Sequence, residues 1–265
     1  MFFNDYEGAM ELFEKAASRF KVDKDYNRAG EAYVRAGDCA VKCKDEAAAS
    51  QAYINAVNAY RKTDLKRAAQ LLDTAIRAQI DSNRLSGAAR LEKEFADALY
   101  EAGQTMEAVP HYEKAVQYFA AEDMKLQAQS CTVAMAKIYG ENDEFDKALT
   151  LYERLGNMTT EGPLRHDAKE YFMRAMLCRL ATVRDDNRYE KSAEAAEALS
   201  TYMTRDIYLK NTREAEFLQM CTEAVEGSDI EKFETAVSLL QEIRKLDDWK
   251  THVLLVVKRN MESIL

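Results

Sequence analysis

The sequence predicts an all-α fold: a right-handed superhelical solenoid of tetratricopeptide-like helical hairpins with a C-terminal helical bundle. Three observations carry that expectation. A motif of two apolar residues, two polar ones and a small apolar residue recurs along the chain, and its spacing of about 20 residues is what one helix plus a tight turn requires. Glycine (9) and proline (2) are scarce in 265 residues, which favours helices over sheets or flexible linkers. Polar turn formers also fall where the period needs a break.

Residues 1–181 are expected to form the hairpin array. The motif reads Leu12-Phe13-x-x-Ala16, Ala32-Tyr33-x-x-Ala36, Ala52-Tyr53-x-x-Ala56 and Leu71-Leu72-x-x-Ala75. It returns as His111-Tyr112-x-x-Ala115, Thr132-Val133-x-x-Ala136, Leu151-Tyr152-x-x-Leu155 and Tyr171-Phe172-x-x-Ala175. Turns are expected at Lys24–Asn27, Lys62–Asp64, Asp81–Asn83, Ala121–Asp123 and Glu141–Asp143, where Asp, Asn and Ser would cap the following helix. Gly162-Pro163 marks the longest irregular link. Residues 182–265 lose the rhythm but keep helical patterning over 189–204, 212–226, 230–245 and 249–263. The last of these is apolar on more than one side (Val253 to Val257), as a buried helix of a compact end cap would be.

A formal charge of −9, from 37 basic against 46 acidic residues, argues against nucleic acid as the main partner. The five cysteines read as reduced core residues of a cytoplasmic protein. No apolar run reaches the ~18 residues a membrane span needs. Phosphate loops, Cys-x-x-Cys pairs, His-Glu-x-x-His and Gly-x-Ser-x-Gly are absent. His111, His166 and His252 are scattered, Cys39 and Cys43 share a helix face without a second ligand pair, and Asp185-Asp186 stands alone. These readings predict no catalytic residue, no metal and no cofactor: a binding protein and not an enzyme.

Three stretches add a resemblance. They are Glu107-Ala108-Val109-Pro110-His111-Tyr112-Glu113, Gly162-Pro163-Leu164 continuing to Ala168-Lys169-Glu170-Tyr171-Phe172, and Leu246-Asp247-Asp248-Trp249. In this order and spacing the chain resembles the soluble NSF attachment proteins, the α type most closely. The resemblance implies an adaptor that lies along an assembled SNARE four-helix bundle, several copies per bundle, and recruits the AAA ATPase NSF for its disassembly. It also implies a cytoplasmic protein peripherally associated with membranes.

Carried over residue by residue, the resemblance places SNARE contacts at Lys24, Arg61, Arg84, Arg90, Lys169 and Arg213. A further basic position of the family falls on Ser130, with Lys125 nearby. ATPase contacts fall on Glu223, Glu226 and the terminal Leu265, while Gly227 stands where another acid is usual. The family's acidic tail is reduced here to Glu262-Ser263-Ile264-Leu265, so either the tail is cut short or the ATPase is engaged differently. Phe2 and Phe3 would be either the remnant of a membrane-touching loop or a staple on the first hairpin. On this reading, reversing Arg90 and Lys169 to Glu is expected to abolish bundle binding with the fold intact. The rival is a generic tetratricopeptide-like scaffold that clamps short peptides, which would concentrate its charge in one groove.

Overall fold

The computed structural model describes residues 5–161, 165–243 and 245–263. Among them the chain is all-α, an array of consecutive helical hairpins as in an α-solenoid. The helices are α1 (Tyr6–Val22), α2 (Tyr26–Lys42), α3 (Glu46–Tyr60), α4 (Leu65–Asp81), α5 (Leu85–Glu101), α6 (Thr105–Ala121), α7 (Lys125–Glu141) and α8 (Phe145–Thr159). They continue as α9 (Ala168–Ala181), α10 (Arg188–Arg205), α11 (Arg213–Gly227), α12 (Ile230–Ile243) and α13 (Asp248–Glu262), with short 3-10 turns before α9 and α10. Helix starts from Tyr6 to Phe145 step by 20 residues, with a single step of 19 between α3 and α4. The small residue of the motif explains the period: Ala36, Ala56, Ala75, Ala115, Ala136 and Ala175 are all fully buried. In the first copy the buried residue is Ala17, one place along from the expected Ala16.

The turns use two devices where one was expected. Asp25 and Asp64 cap α2 and α4, accepting from the Arg28 and Arg67 amides at 3.1 Å, as the turn sequences suggest. At Asn83 and Asp143 the expected capping residue is instead left-handed, with φ of 54° and 61°. The next residues, Arg84 and Glu144, stand at the N-cap without a side-chain cap bond. The left-handed position recurs in phase at Lys24, Lys44, Asn83, Gly103, Asp123 and Asp143. It lets the following amide reach back five residues, from Asp25 to the Phe20 carbonyl at 2.8 Å and from Glu144 to Tyr139 at 2.9 Å. This Schellman closure satisfies carbonyls that the helix end would otherwise leave unpaired. The α3–α4 turn lacks the left-handed residue, and that is where the step shortens to 19.

Lys24 therefore holds a backbone conformation that costs an L-residue about 1 kcal/mol and glycine almost nothing. Glycine also raises the entropy of the unfolded chain, which offsets part of the gain. Lys24→Gly should raise stability by about 0.5 kcal/mol while deleting a candidate contact charge. Denaturant unfolding midpoints of the two proteins check this.

The chain divides into two compact units, Met1–Cys131 and Thr132–Leu265. In the first, the helix pairs in close contact are chain neighbours, α1 on α2 through to α5 on α6, as expected when each hairpin buries its face on the next. Glycines make room for aromatics: the Tyr53 ring occupies the place where a Cβ on Gly37 would sit. Helix α1 buries only Ala17. Its aromatic side is covered by cations from the antiparallel α2: Lys42 lies over Tyr6 at 4.9 Å, Arg35 over Phe13 at 5.8 Å and Arg28 over Phe20 at 5.7 Å. The three pairs recur every seven residues on both helices and form a cation–π zipper.

The second unit has a continuous core running from Ala136 to Met261. Helix α9 is its centre, packing on α8, α10, α11 and α13, and nine of its residues, Phe172, Met176 and Cys178 among them, are buried. The sequence suggested α13 as the helix buried on several sides. That role falls to α9, because α13 leaves Leu255 53% exposed. Trp249 of α13 lies against Gly140, donates to the Lys137 carbonyl at 3.1 Å and meets Tyr152 edge-on at 5.4 Å. Four of the five cysteines are buried as expected; Cys43, at the C-cap of α2, is exposed because the helix ends there.

Candidate functional site

Four of the six expected SNARE-facing bases belong to the first unit and two to the second. Lys24 and Arg61 sit in the α1–α2 and α3–α4 turns, which antiparallel hairpins place on one edge of the unit. Arg84 and Arg90 sit at and just inside the start of α5, on the opposite edge. A 17-residue helix separates the two edges, a length of about 25 Å. The first-unit bases thus form two pairs on two edges. Lys44 was missed in the sequence. It is exposed in the α2–α3 turn, on the Arg84 edge, and lies 20 residues after Lys24 in the same left-handed position. The repeat phase was the signal that would have found it.

The six side chains differ in what they already touch. Among the described residues Lys24, Arg84 and Arg90 are exposed and carry no ion pair. Arg213 is exposed and pairs along its own helix with Glu216 at 3.0 Å, an arrangement worth only a few tenths of a kcal/mol. Arg61 is half-buried, with Nη2 3.0 Å from Glu94 Oε2 and Nη1 donating to the Glu94 carbonyl at 3.4 Å. Lys169, in the first turn of α9, has Nζ 2.8 Å from Oε1 of Glu214, a residue only 16% exposed. Since Glu214 follows Arg213, this pair brings the two second-unit candidates to one corner.

Of the expected ATPase contacts, Glu223 and Glu226 both lie exposed on α11. Lys232 reaches Glu223 at 2.5 Å, and this hydrogen bond is the main reason the Glu223 carboxyl stays below its usual range. Glu226 has no ion pair among the described residues. Phe2, Phe3 and Leu265 lie outside the described residues.

The histidines have partners that no local spacing reveals. His111 Nδ1 lies 2.5 Å from the buried Glu92, which also takes Lys114 at 3.3 Å, and His252 Nε2 lies 2.9 Å from Asp143. The ring of His166 lies 4.4 Å from that of Tyr208. Among the described residues no three His, Cys, Asp or Glu side chains gather as a metal site would require. No described helix is long and apolar enough to cross a membrane.

A family model described as soluble NSF attachment protein, SNAP, matches residues 2–262. The chain belongs to the SNAP family. The α-soluble NSF attachment protein of Vitis vinifera is 31% identical over 99% of this chain and 89% of its own length. The vesicular-fusion protein SEC17 of Coprinopsis cinerea is 32% identical over 97% of this chain and 88% of its own. The human α-soluble NSF attachment protein is 27% identical over 97% and 85%.

Two of the stretches that carry the SNAP resemblance meet in space, on α9 and α13. Arg174 donates to Glu170 at 2.9 Å and to Asp247 at 2.7 Å, and the buried Lys250 reaches Glu170 at 2.6 Å. Asp247 also caps α13 through the Lys250 amide at 2.8 Å. Glu170 and Asp247 of those stretches, through Arg174 and Lys250, hold α9 to α13.

Burial pushes the Asp247 carboxyl up, but the Lys250 amide and the Arg174 and Lys250 charges outweigh it, leaving Asp247 below its ordinary 3.8. Burial likewise raises Glu214, and the Lys169 hydrogen bond with the helix-start amides brings it below 4.5. Both folded values are depressed, so this stabilisation is complete above the unfolded values and is lost as pH falls through the folded ones. The melting temperature should be flat from about pH 7 to pH 5 and fall below about pH 4, as a thermal denaturation series would record.

Proposed function

We propose that this chain is an adaptor that binds the assembled SNARE four-helix bundle through a basic face and recruits an NSF-type AAA ATPase that takes the bundle apart in vesicle-mediated transport. The observation that carries this reading is the SNAP family match across residues 2–262. The names of the relatives, NSF attachment and vesicular fusion, support the same role. Lys24, Arg61, Arg84, Arg90, Lys169 and Arg213 are the proposed SNARE contacts, and Glu223, Glu226 and Leu265 the proposed ATPase contacts. Phe2 and Phe3 are proposed to touch the membrane surface of a cytoplasmic, peripherally bound protein, and residues 182–265 to cap the array.

Exposed ion pairs contribute about 0.2–1 kcal/mol each and are screened by salt, so one copy would bind weakly and exchange fast. Several copies around one bundle, held by a shared ATPase, would bind more tightly through effective concentration. The pairing of basic residues with two edges suits a long rod better than a single peptide end. The deciding experiment is binding of the chain to an assembled SNARE bundle and to its separate subunits at about 50 and 200 mM salt. Preference for the bundle, weakened by salt, is the expected result. Absence of binding at both salts would favour the peptide-scaffold reading.

A further inference from the structure

Arg61, like Lys169 and Arg213 and unlike Lys24, Arg84 and Arg90, is a candidate contact that a carboxylate of the chain itself already occupies. Glu94, on α5, holds Arg61 Nη2 at 3.0 Å, and its backbone carbonyl takes Nη1 at 3.4 Å. Both face a cavity of 610 Å³ whose charged lining is Arg61, Lys62, Glu94, Asp97 and Glu101. Three carboxylates on one helix, spaced three and four residues apart, share a face and repel one another. Asp97 is offset by Lys93 at 2.7 Å and Glu94 by Arg61, while Glu101 has no ion pair among the described residues. An acidic partner that takes Arg61 therefore strips Glu94 of its counter-charge beside two like charges.

We propose that Glu94 is a resident competitor for Arg61: it fills the contact in the unbound chain and must be displaced when an acidic partner docks. The inference rests on the SNARE-adaptor reading and deepens it by naming a residue that sets affinity and selectivity. The displaced carboxylate favours a partner that brings a cation beside the acid meeting Arg61, so that Glu94 exchanges one cation for another. A uniformly acidic surface carries the full cost of leaving it unpaired. The hydrogen bond from Arg61 Nη1 to the Glu94 backbone carbonyl, at 3.4 Å, does not involve the carboxylate and is expected to persist in Glu94→Gln.

The test measures affinity of the full chain for the assembled SNARE bundle with Glu94→Gln, Glu101→Gln and Arg61→Ala, plus the double variant Arg61→Ala/Glu94→Gln. Glu94→Gln and Glu101→Gln change net charge equally and border the same cavity, but only the first releases Arg61. Freeing this partly exposed ion pair is worth about a twofold to fivefold gain in affinity, expected for Glu94→Gln at low salt and absent in the Arg61→Ala background. Equal gains from the two Gln variants would reduce the effect to net charge and overturn the proposal. Weaker binding by Glu94→Gln would also overturn it, showing that the carboxylate organises Arg61 for the partner. A wild-type chain that does not bind the bundle defeats the adaptor reading itself, whereas a binding wild type with an inert Arg61→Ala defeats only the competitor. Circular dichroism melts of each variant exclude unfolding as the cause.

Discussion

Trp249→Ala should cost about 3–5 kcal/mol of stability, the range for removing a buried aromatic. The ring is 3% exposed and lies on the bare backbone of Gly140, where the place of a Cβ is 2.5 Å from the indole nitrogen. It also stacks edge-on with Tyr152, lies under the Arg174 guanidinium at 4.8 Å and satisfies the Lys137 carbonyl. Alanine would leave a cavity lined by Gly140 and Tyr152 and remove the hydrogen bond to the Lys137 carbonyl. The melting temperature should fall by roughly 10 °C. Trp249→Phe keeps most of the volume and loses the N–H donor, so its cost should be about 1–2 kcal/mol. Thermal and urea unfolding of the two variants separates ring packing from the hydrogen bond. Equal losses would mean that the hydrogen bond, not the ring, ties α13 to α7.

Arg90→Glu and Lys169→Glu, expected from the sequence to behave alike, should now differ. Arg90 is exposed and carries no ion pair among the described residues, so its reversal should leave stability within about 0.5 kcal/mol and weaken SNARE-bundle binding roughly threefold to tenfold. Lys169 is 29% exposed and ties α9 to α11 through Glu214. Placing a second carboxylate beside Glu214 should cost about 2 kcal/mol, less than the loss for a fully buried pair because both groups still see solvent. Binding and melting temperature should fall together for Lys169→Glu, and Lys169→Gln should recover part of the stability. An unchanged melting temperature for Lys169→Glu would show that Glu214 is held without it.

The contrast between those two residues marks the limit of what the chain discloses locally. The 20-residue ladder was legible because each first-unit helix buries its face on its neighbours, so packing is written into nearby residues such as Ala36, Ala56 and Ala75. Turn positions were legible for the same reason. Which device each turn uses was not, since Asn83 and Asp143 suit a left-handed backbone as well as a cap. In the second unit the decisive partners stand far apart, Arg174 with Asp247 and Lys169 with Glu214. No period relates them. The same holds for Arg61 and Glu94, where the family resemblance pointed to the base and nothing local pointed to the acid beside it. Lys44 is the opposite case: its phase, 20 residues after Lys24, is visible in the sequence itself.

The cation–π zipper of α1 and α2 has a consequence for how the array comes apart. Helix α1 buries one alanine, contacts one neighbour closely and relies for the rest on three rings roofed by long, mobile side chains. Its free energy of opening is therefore far below that of helices such as α5, whose Leu91, Phe95 and Leu99 are buried. It should behave as a separate low-stability foldon, its amides exchanging with solvent while α2 to α6 remain protected. When it swings away, Tyr6, Phe13 and Phe20 are released together with Lys42, Arg35 and Arg28, uncovering an aromatic and a basic row in one event.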